Sequence, residues 1–276
     1  GSQQWSAVIE NQGYSPAVHY YENWGIQTSD GGFFVAGTFY NDSYGNMIRA
    51  IKIDGRGNVI WNTIYSRSHG SILALFQCPD GRYLILTHGG YVYCIDDQGR
   101  MAWEKSVVDQ LTRKITTDLV VNAAAQAPDG SILLAATKYS RSENLNIACF
   151  SYEGILLWER VIDYPDLETV RSIATTSDGG YIVGGLTFEQ GAQYPAQGRI
   201  LVVKMDANAT VVWDVFLAET NSSLLDMHEQ PDRGYTILYA VEDSGKNANN
   251  SWKIVEVLIS HEGAIEEERI VPLTEY

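Results

Sequence analysis

The 276-residue chain is poor in cysteine, proline and positive charge. Three cysteines, Cys78, Cys94 and Cys149, form at most one disulfide, which excludes a cysteine-stapled miniprotein. We read all three as free, mostly buried thiols. Seven prolines exclude a collagen-like fibre. Nineteen Lys and Arg against 34 Asp and Glu leave a net charge of −15. A phosphate backbone demands a basic face, so a nucleic-acid partner is not expected, and neither is an anionic lipid surface. No apolar run approaches the roughly 20 residues of a spanning helix. The longest, such as 132–136, are strand-sized, so membrane insertion is not expected either. Gly1-Ser2 in place of an initiator Met reads as a cloning scar, so a missing leader carries no weight.

What the chain does have is repetition. An Asp-Gly turn recurs around Asp30, Asp80, Asp129, Asp178 and Asp232, at spacings of 50, 49, 49 and 54. A second motif alternates with it. Its copies run 54–61, 96–103, 151–158 and 206–213, each ending on a tryptophan: Trp61, Trp103, Trp158 and Trp213. A degenerate fifth copy, 260–265, has lost its Trp. Between the turns lie short β-branched and aromatic runs, and no segment sustains a helical period. Residues 108–118 are open to a helical turn but read more easily as a loop.

Each unit resolves into four strands, as in 33–38, 47–53 and 59–65 together with the strand before Asp30. Four antiparallel strands every ~45 residues is the pattern of propeller blades, because one such sheet cannot bury both faces alone. The expectation is an all-β, five-bladed β-propeller, with six blades the alternative. It is read as a single domain over 1–276, with repeats at about 17–66, 67–108, 119–163, 168–218 and 222–272. A stray strand with its own Trp5 lies within 1–12 and leaves open how such a ring would close.

The Asp-x-x-Gly-x-x-x-Trp element resembles the tryptophan-docking motif of quinoprotein-like (PQQ-like repeat) propellers. The fourth repeat, with Ser177-Asp178-Gly179-Gly180-Tyr181, Lys204-Met205-Asp206 and Trp213, also resembles uncharacterised repeat proteins of prokaryotic cell surfaces. The resemblance covers 24–270. It implies that Trp61, Trp103, Trp158 and Trp213 are girdle residues packed between blades, a role that suits an apolar slab with one N–H donor. Quinoproteins of this fold are larger rings, mostly of eight blades, whose cofactor sites often include adjacent half-cystines and a calcium ion. This chain has no adjacent Cys pair, so no quinone and no other cofactor is expected. Cys94 and Cys149 occupy the repeat position held by Lys52 and Lys204.

Phosphate-loop, His-Glu-x-x-His and Gly-x-Ser-x-Gly motifs are absent from the sequence. Asp54, Asp96 and Asp206 sit in hairpins that superficially suggest calcium. A 6–8-oxygen cage needs several converging carboxylates, so one Asp per hairpin is better explained as an Asx turn, and no metal is expected. Glu262, Glu266, Glu267 and Glu268 read as a solvated edge that discourages strand addition.

Turns within the two strand pairs of each unit are short and uniform, whereas the other connections vary. In a propeller the variable loops share one face, and loops on rigid scaffolds carry function. The candidate binding residues there are Tyr20, Tyr21, Glu22, Trp24, Tyr40, Tyr44, His88, Tyr139, Arg141, Arg171 and Tyr194. Aromatic faces beside polar groups suit glycan or protein recognition, although 17 tyrosines must also fall beside strands somewhere. The reading is a non-catalytic propeller with a protein or glycan ligand, extracellular or in the cell envelope. Four N-x-S/T sequons, at Asn41, Asn208, Asn221 and Asn249, tilt slightly toward export. One alternative is a glycoside hydrolase-like enzyme with Glu22, Asp118, Asp166 or Glu168 paired in a funnel, Arg171 offsetting their charge. Another is a structural module of a larger envelope protein.

Overall fold

The computed structural model describes residues 19–41, 45–66, 68–111, 119–138, 144–163, 169–187, 199–217, 222–230, 232–242 and 252–272, with backbone alone at 19–23, 41, 119, 138, 144 and 163. The stray strand around Trp5 lies outside them. Five four-stranded antiparallel sheets make up the described chain, and the fold is an all-β five-bladed β-propeller. The first blade holds β1 (His19–Gln27), β2 (Phe33–Asn41), β3 (Gly45–Ile53) and β4 (Val59–Ser66). The second holds β5 (Ile72–Gln77), β6 (Tyr83–Thr87), β7 (Tyr91–Ile95) and β8 (Met101–Ser106). The third holds β9 (Leu119–Gln126), β10 (Ile132–Lys138), β11 (Asn144–Phe150) and β12 (Leu156–Asp163). The fourth holds β13 (Thr169–Thr175), β14 (Tyr181–Thr187), β15 (Arg199–Met205) and β16 (Val211–Leu217). The fifth holds β17 (Ser222–Gln230), β18 (Gly234–Glu242), β19 (Trp252–Ile259) and β20 (Ile265–Val271). A 3-10 turn, Val108–Gln110, follows β8. Among the described residues no helix is long and apolar enough to cross a membrane.

Burial follows strand position. Middle strands such as β14 and β15 are apolar on both faces and buried along nearly their whole length. Outer strands alternate, because only one side-chain row meets a neighbour. β20 departs from this: its residues are exposed up to the last, and Glu267 stands opposite Leu258, where a Trp faces Lys52, Cys94 and Lys204 in β3, β7 and β15. A bulge interrupts the first strand pair of every blade, adding twist where the sheet must curve.

The chain falls into two compact units. One comprises the first two blades with the third-blade turns Pro128–Ser131 and Phe150–Leu156. Its core sets Phe34, Ile48 and Tyr65 against Ile72, Tyr83, Ile85 and Tyr93. The other holds the rest of the third blade with the fourth and fifth. There Leu133, Leu145 and Ile147 pack on Val183, Leu201 and Val203, and Ile200 and Val202 pack on Ile237 and Val257. Each such side chain removed from water contributes about 1.5–3 kcal/mol.

The recurrent motif has a physical reason. Trp61 Nε1 donates to the carbonyl of Asp97 at 2.9 Å, and Trp213 Nε1 to that of His261 at 2.8 Å. Each acceptor lies in the turn of the following blade. Gly99 in that turn has φ +79° and lies so close that a Cβ would stand 2.7 Å from the Trp61 ring. Gly99, Gly154 and Gly263 therefore each serve the indole one repeat earlier. Trp103 lies under Gly154 in the same way, but its Nε1 has no acceptor among the described residues. A tyrosine on the next blade packs at a tilt against three of the indoles: Tyr83 on Trp61, Tyr181 on Trp158 and Tyr235 on Trp213.

Candidate functional site

In each blade the two hairpin turns lie at one end of the sheet and the remaining connections at the other. The turn end is occupied by its own hydrogen bonds. Asp54 Oδ1 accepts from the backbone N–H of Arg56 and of Asn58, both at 2.8 Å, and Asp96 and Asp206 repeat the pattern. Asp30 accepts from Thr28, Gly32 and the buried ammonium of Lys52, and Asp178 from Thr176, Gly180 and Lys204. The Thr28 hydroxyl, Lys52 and the Gly32 N–H hold the Asp30 carboxyl down at about 2. For Asp178, desolvation pushes upward but the hydrogen bonds from Lys204, Thr176 and Gly180 outweigh it, again to about 2.

In the second blade Cys78 and Cys94 stand where Thr28 and Lys52 stand in the first. Arg82 supplies the cation, bonding Asp80 at 2.7 Å and Glu153 of the third-blade turn. All three cysteines are free and buried. Burial raises the Cys78 thiol to about 12 and the Cys94 thiol to about 11, so neither is poised as a nucleophile. Among the described residues no three His, Cys, Asp or Glu side chains group as metal ligands.

The connection end is described most completely in the second blade, and there it is built rather than loose. The His69 ring stacks on Tyr91, centroids 3.9 Å apart and planes 15° from parallel. Its Nε2 lies 3.4 Å from Glu104 Oε1. The His69 N–H donates to the Tyr93 hydroxyl at 3.0 Å, and its carbonyl accepts from Thr87 Oγ1 at 2.9 Å. Gly89 is required here, because a Cβ would lie 2.5 Å from the His69 carbonyl oxygen. Strand register explains the convergence: Tyr93 stands opposite Glu104 on β8, so both side chains share one face with Tyr91, two residues away. The His69 side chain is 43% exposed, leaving an ordered imidazole, phenol and carboxylate at the surface.

The sequence candidates are distributed as follows. Trp24 on β1 is 42% exposed and Tyr40 on β2 is 38% exposed. His88 lies in the β6–β7 connection, its N–H donating to the Ser71 carbonyl at 3.0 Å, beside the His69–Tyr91 stack. Arg171 is exposed on β13 at the bulge between Val170 and Ser172. Tyr20, Tyr21 and Glu22 belong to β1, with backbone alone described. Tyr44, Tyr139, Arg141 and Tyr194 lie outside the described residues, as do Asp118, Asp166 and Glu168. His69 and Glu104 are not among the candidates. Glu104 directly follows a motif Trp, and its facing Tyr93 was the signal that strand pairing would have provided.

Neither a family model nor a curated protein matches the chain. Solved structures do. It is similar to the Dos1 propeller at 10% identity, with a TM-score of 0.56, over 88% of this chain and 56% of that one. It therefore spans little more than half that protein's length. A mutant of Synechocystis apocarotenoid oxygenase is 11% identical, with a TM-score of 0.54, over 93% of this chain and 70% of that one. A puromycin-hydrolyzing peptidase of Mycobacterium tuberculosis is 10% identical, with a TM-score of 0.60, over 94% and 38%. At such identity the likeness concerns the fold.

Proposed function

We propose that this propeller is a non-catalytic binding module of the PQQ-like repeat type, working outside the cell or in its envelope. It takes a protein or glycan partner on the connection ends of its blades. The observation that carries this reading is the His69–Tyr91–Glu104 cluster. An imidazole stacked on a phenol and aligned by a carboxylate is a rigid surface with one flat face and directional polar groups. Such surfaces lose little side-chain entropy on binding. Tyr40, exposed near the end of β2, extends the aromatic character of that end, and Trp24 is exposed farther along β1. The opposite end favours the assignment by contrast, since the carboxylates of Asp30, Asp54, Asp96, Asp178 and Asp206 are already bound to backbone N–H groups. The alternation of indole and turn glycine supports the repeat type.

Glycan arrays and cross-linking pull-downs from envelope extracts, run with the wild type and with His69→Ala, Trp24→Ala and Tyr40→Ala, test the reading. Binding at least tenfold weaker in the His69 variant, with an unchanged melting temperature, is the expected result. Every interaction surviving all three substitutions would refute the assignment of this end.

A further inference from the structure

Among the described residues the motif turns outnumber the motif indoles. The turns centre on Gly57, Gly99, Gly154, Ala209 and Gly263. Trp61 meets Gly99, Trp103 meets Gly154 and Trp213 meets Gly263, while Trp158 packs on the cluster that includes Ala209. The fifth repeat has no such indole, since Glu267 holds that place. The first-blade turn has no motif tryptophan before it among the described residues. It is nonetheless built like the others. The Asp54 N–H donates to the Asn58 carbonyl at 2.9 Å and the Gly57 N–H to the Asp54 carbonyl at 3.0 Å, as Asp96 and Gly99 do to Arg100 and Asp96 at 2.9 and 3.1 Å. Gly57 has φ +89°, against +79° at Gly99 and +88° at Gly263. The indole acceptors Asp97 and His261 lie two residues before the turn glycine, the place that Gly55 takes here. Tyr83, Tyr181 and Tyr235, which pack against three of the indoles, stand three residues after Asp80, Asp178 and Asp232; Phe33 stands three after Asp30.

We infer that Trp5 of the same chain docks on the first-blade turn, against Gly57 and Phe33, with its Nε1–H donating to the Gly55 carbonyl. Trp5 lies outside the described residues, and its place in the sequence carries the assignment. It precedes Gly57 by 52 residues, where Trp103, Trp158 and Trp213 precede the centres of their receiving turns by 51, 51 and 50. Trp61 precedes Gly99 by 38, across the short second blade. The residues at 3–9 also carry the side-chain row of an outer strand: Trp5, Ala7 and Ile9 alternate as Trp61, Thr63 and Tyr65 do in β4, and as Trp213, Val215 and Leu217 do in β16. The tether is sufficient. Fourteen residues lie between Trp5 and the start of β1 at His19, a reach of up to about 46 Å, whereas the nine residues of β1 span about 30 Å. An indole has the shape and the single N–H donor that this turn, like its counterparts, is arranged to receive. The inference concerns the turn end of the first blade and is independent of the His69 reading at the connection end of the second.

The test uses the full chain labelled with 15N-tryptophan, the Trp5 indole resonance being assigned from its loss in Trp5→Phe. Exchange of the indole N–H with water is measured at Trp5 and at the exposed Trp24. The expected result is exchange at least about tenfold slower at Trp5 than at Trp24, with a nuclear Overhauser contact from the Trp5 ring to the Gly57 Hα. Gly57→Ala, which places a Cβ where the indole is received, removes the protection. Gly31→Ala keeps it, because φ is +78° there but nothing lies within 4 Å of the would-be Cβ. Exchange at Trp5 as fast as at Trp24, or protection unchanged in Gly57→Ala, overturns the docking. Protection that falls on dilution, together with a dimer mass in sedimentation, assigns the occupant to a second copy and overturns the assignment to the same chain. Should Gly57→Ala fail to fold, the wild-type exchange and the Overhauser contact decide by themselves. Loss of glycan or protein capture in the His69 variant leaves this result untouched.

Discussion

Replacing Gly99 by Ala isolates the contact on which the blade packing rests. Gly99 has φ +79°, a conformation that costs an L-residue about 1 kcal/mol. The new Cβ would also stand 2.7 Å from Trp61 Cδ2 and 2.9 Å from Cε3, so the indole must move. That movement endangers the Trp61 Nε1 bond to the Asp97 carbonyl, about 1 kcal/mol more, and opens the contact with Tyr83 and Phe34. The sum is about 2–4 kcal/mol. Gly81→Ala is the matched control: φ is +87° in the same blade, but nothing lies within 4 Å of its would-be Cβ, so about 1 kcal/mol of backbone cost remains. Urea unfolding of the two variants, followed by far-UV circular dichroism, yields the packing contribution by difference. Equal midpoints for Gly99→Ala and Gly81→Ala would show that the indole is not held by this turn, and the account of the repeat would fail with it.

Other outcomes follow from the same geometry. Asp30 and Asp178 have carboxyl values lowered from 3.8 to about 2 in the folded chain, so their stabilisation is complete above about pH 4 and is lost as pH falls toward 2. Urea midpoints measured from pH 5 to 2 should therefore fall less steeply in the Asp30→Asn/Asp178→Asn double variant; an unchanged slope would refute the linkage. Cys78 and Cys94, raised by burial, should react with a disulfide reagent at pH 8 only slowly in the folded protein and rapidly in 8 M urea, a protocol value of about that order for full unfolding. A double-mutant cycle of Arg82→Met with Glu153→Gln should give a coupling of about 1 kcal/mol that shrinks in 1 M salt, on the order expected for a part-exposed pair. A coupling near zero would make the pair incidental.

Much of the fold was legible because its physics is local. Asp-Gly turns, β-branched runs and a motif returning at intervals of 49 to 54 residues specify hairpins wherever they occur, whatever surrounds them. The 3-10 turn at Val108–Gln110 falls where the sequence left a helical turn open. Less legible was the direction of the Gly–Trp relation. The motif places Gly99 four residues before Trp103, yet its contact is with Trp61 of the preceding repeat, 38 residues upstream. Spacing within one repeat carries no information about packing between two.

The same division governs the candidate sites. Trp24, Tyr40 and His88 were visible as residue types near strand ends. His69 and Glu104 were not, because they are 35 residues apart and meet through the β7–β8 register and the bonds that hold the His69 backbone to Tyr93 and Thr87. The amino-acid sequence by itself determined the strands, the turns and their repetition, since these depend on backbone preference and alternation within a few residues. Only the tertiary structure decided which side chains meet, because contacts between strands and between blades depend on register and sheet packing, and distance along the chain does not encode either.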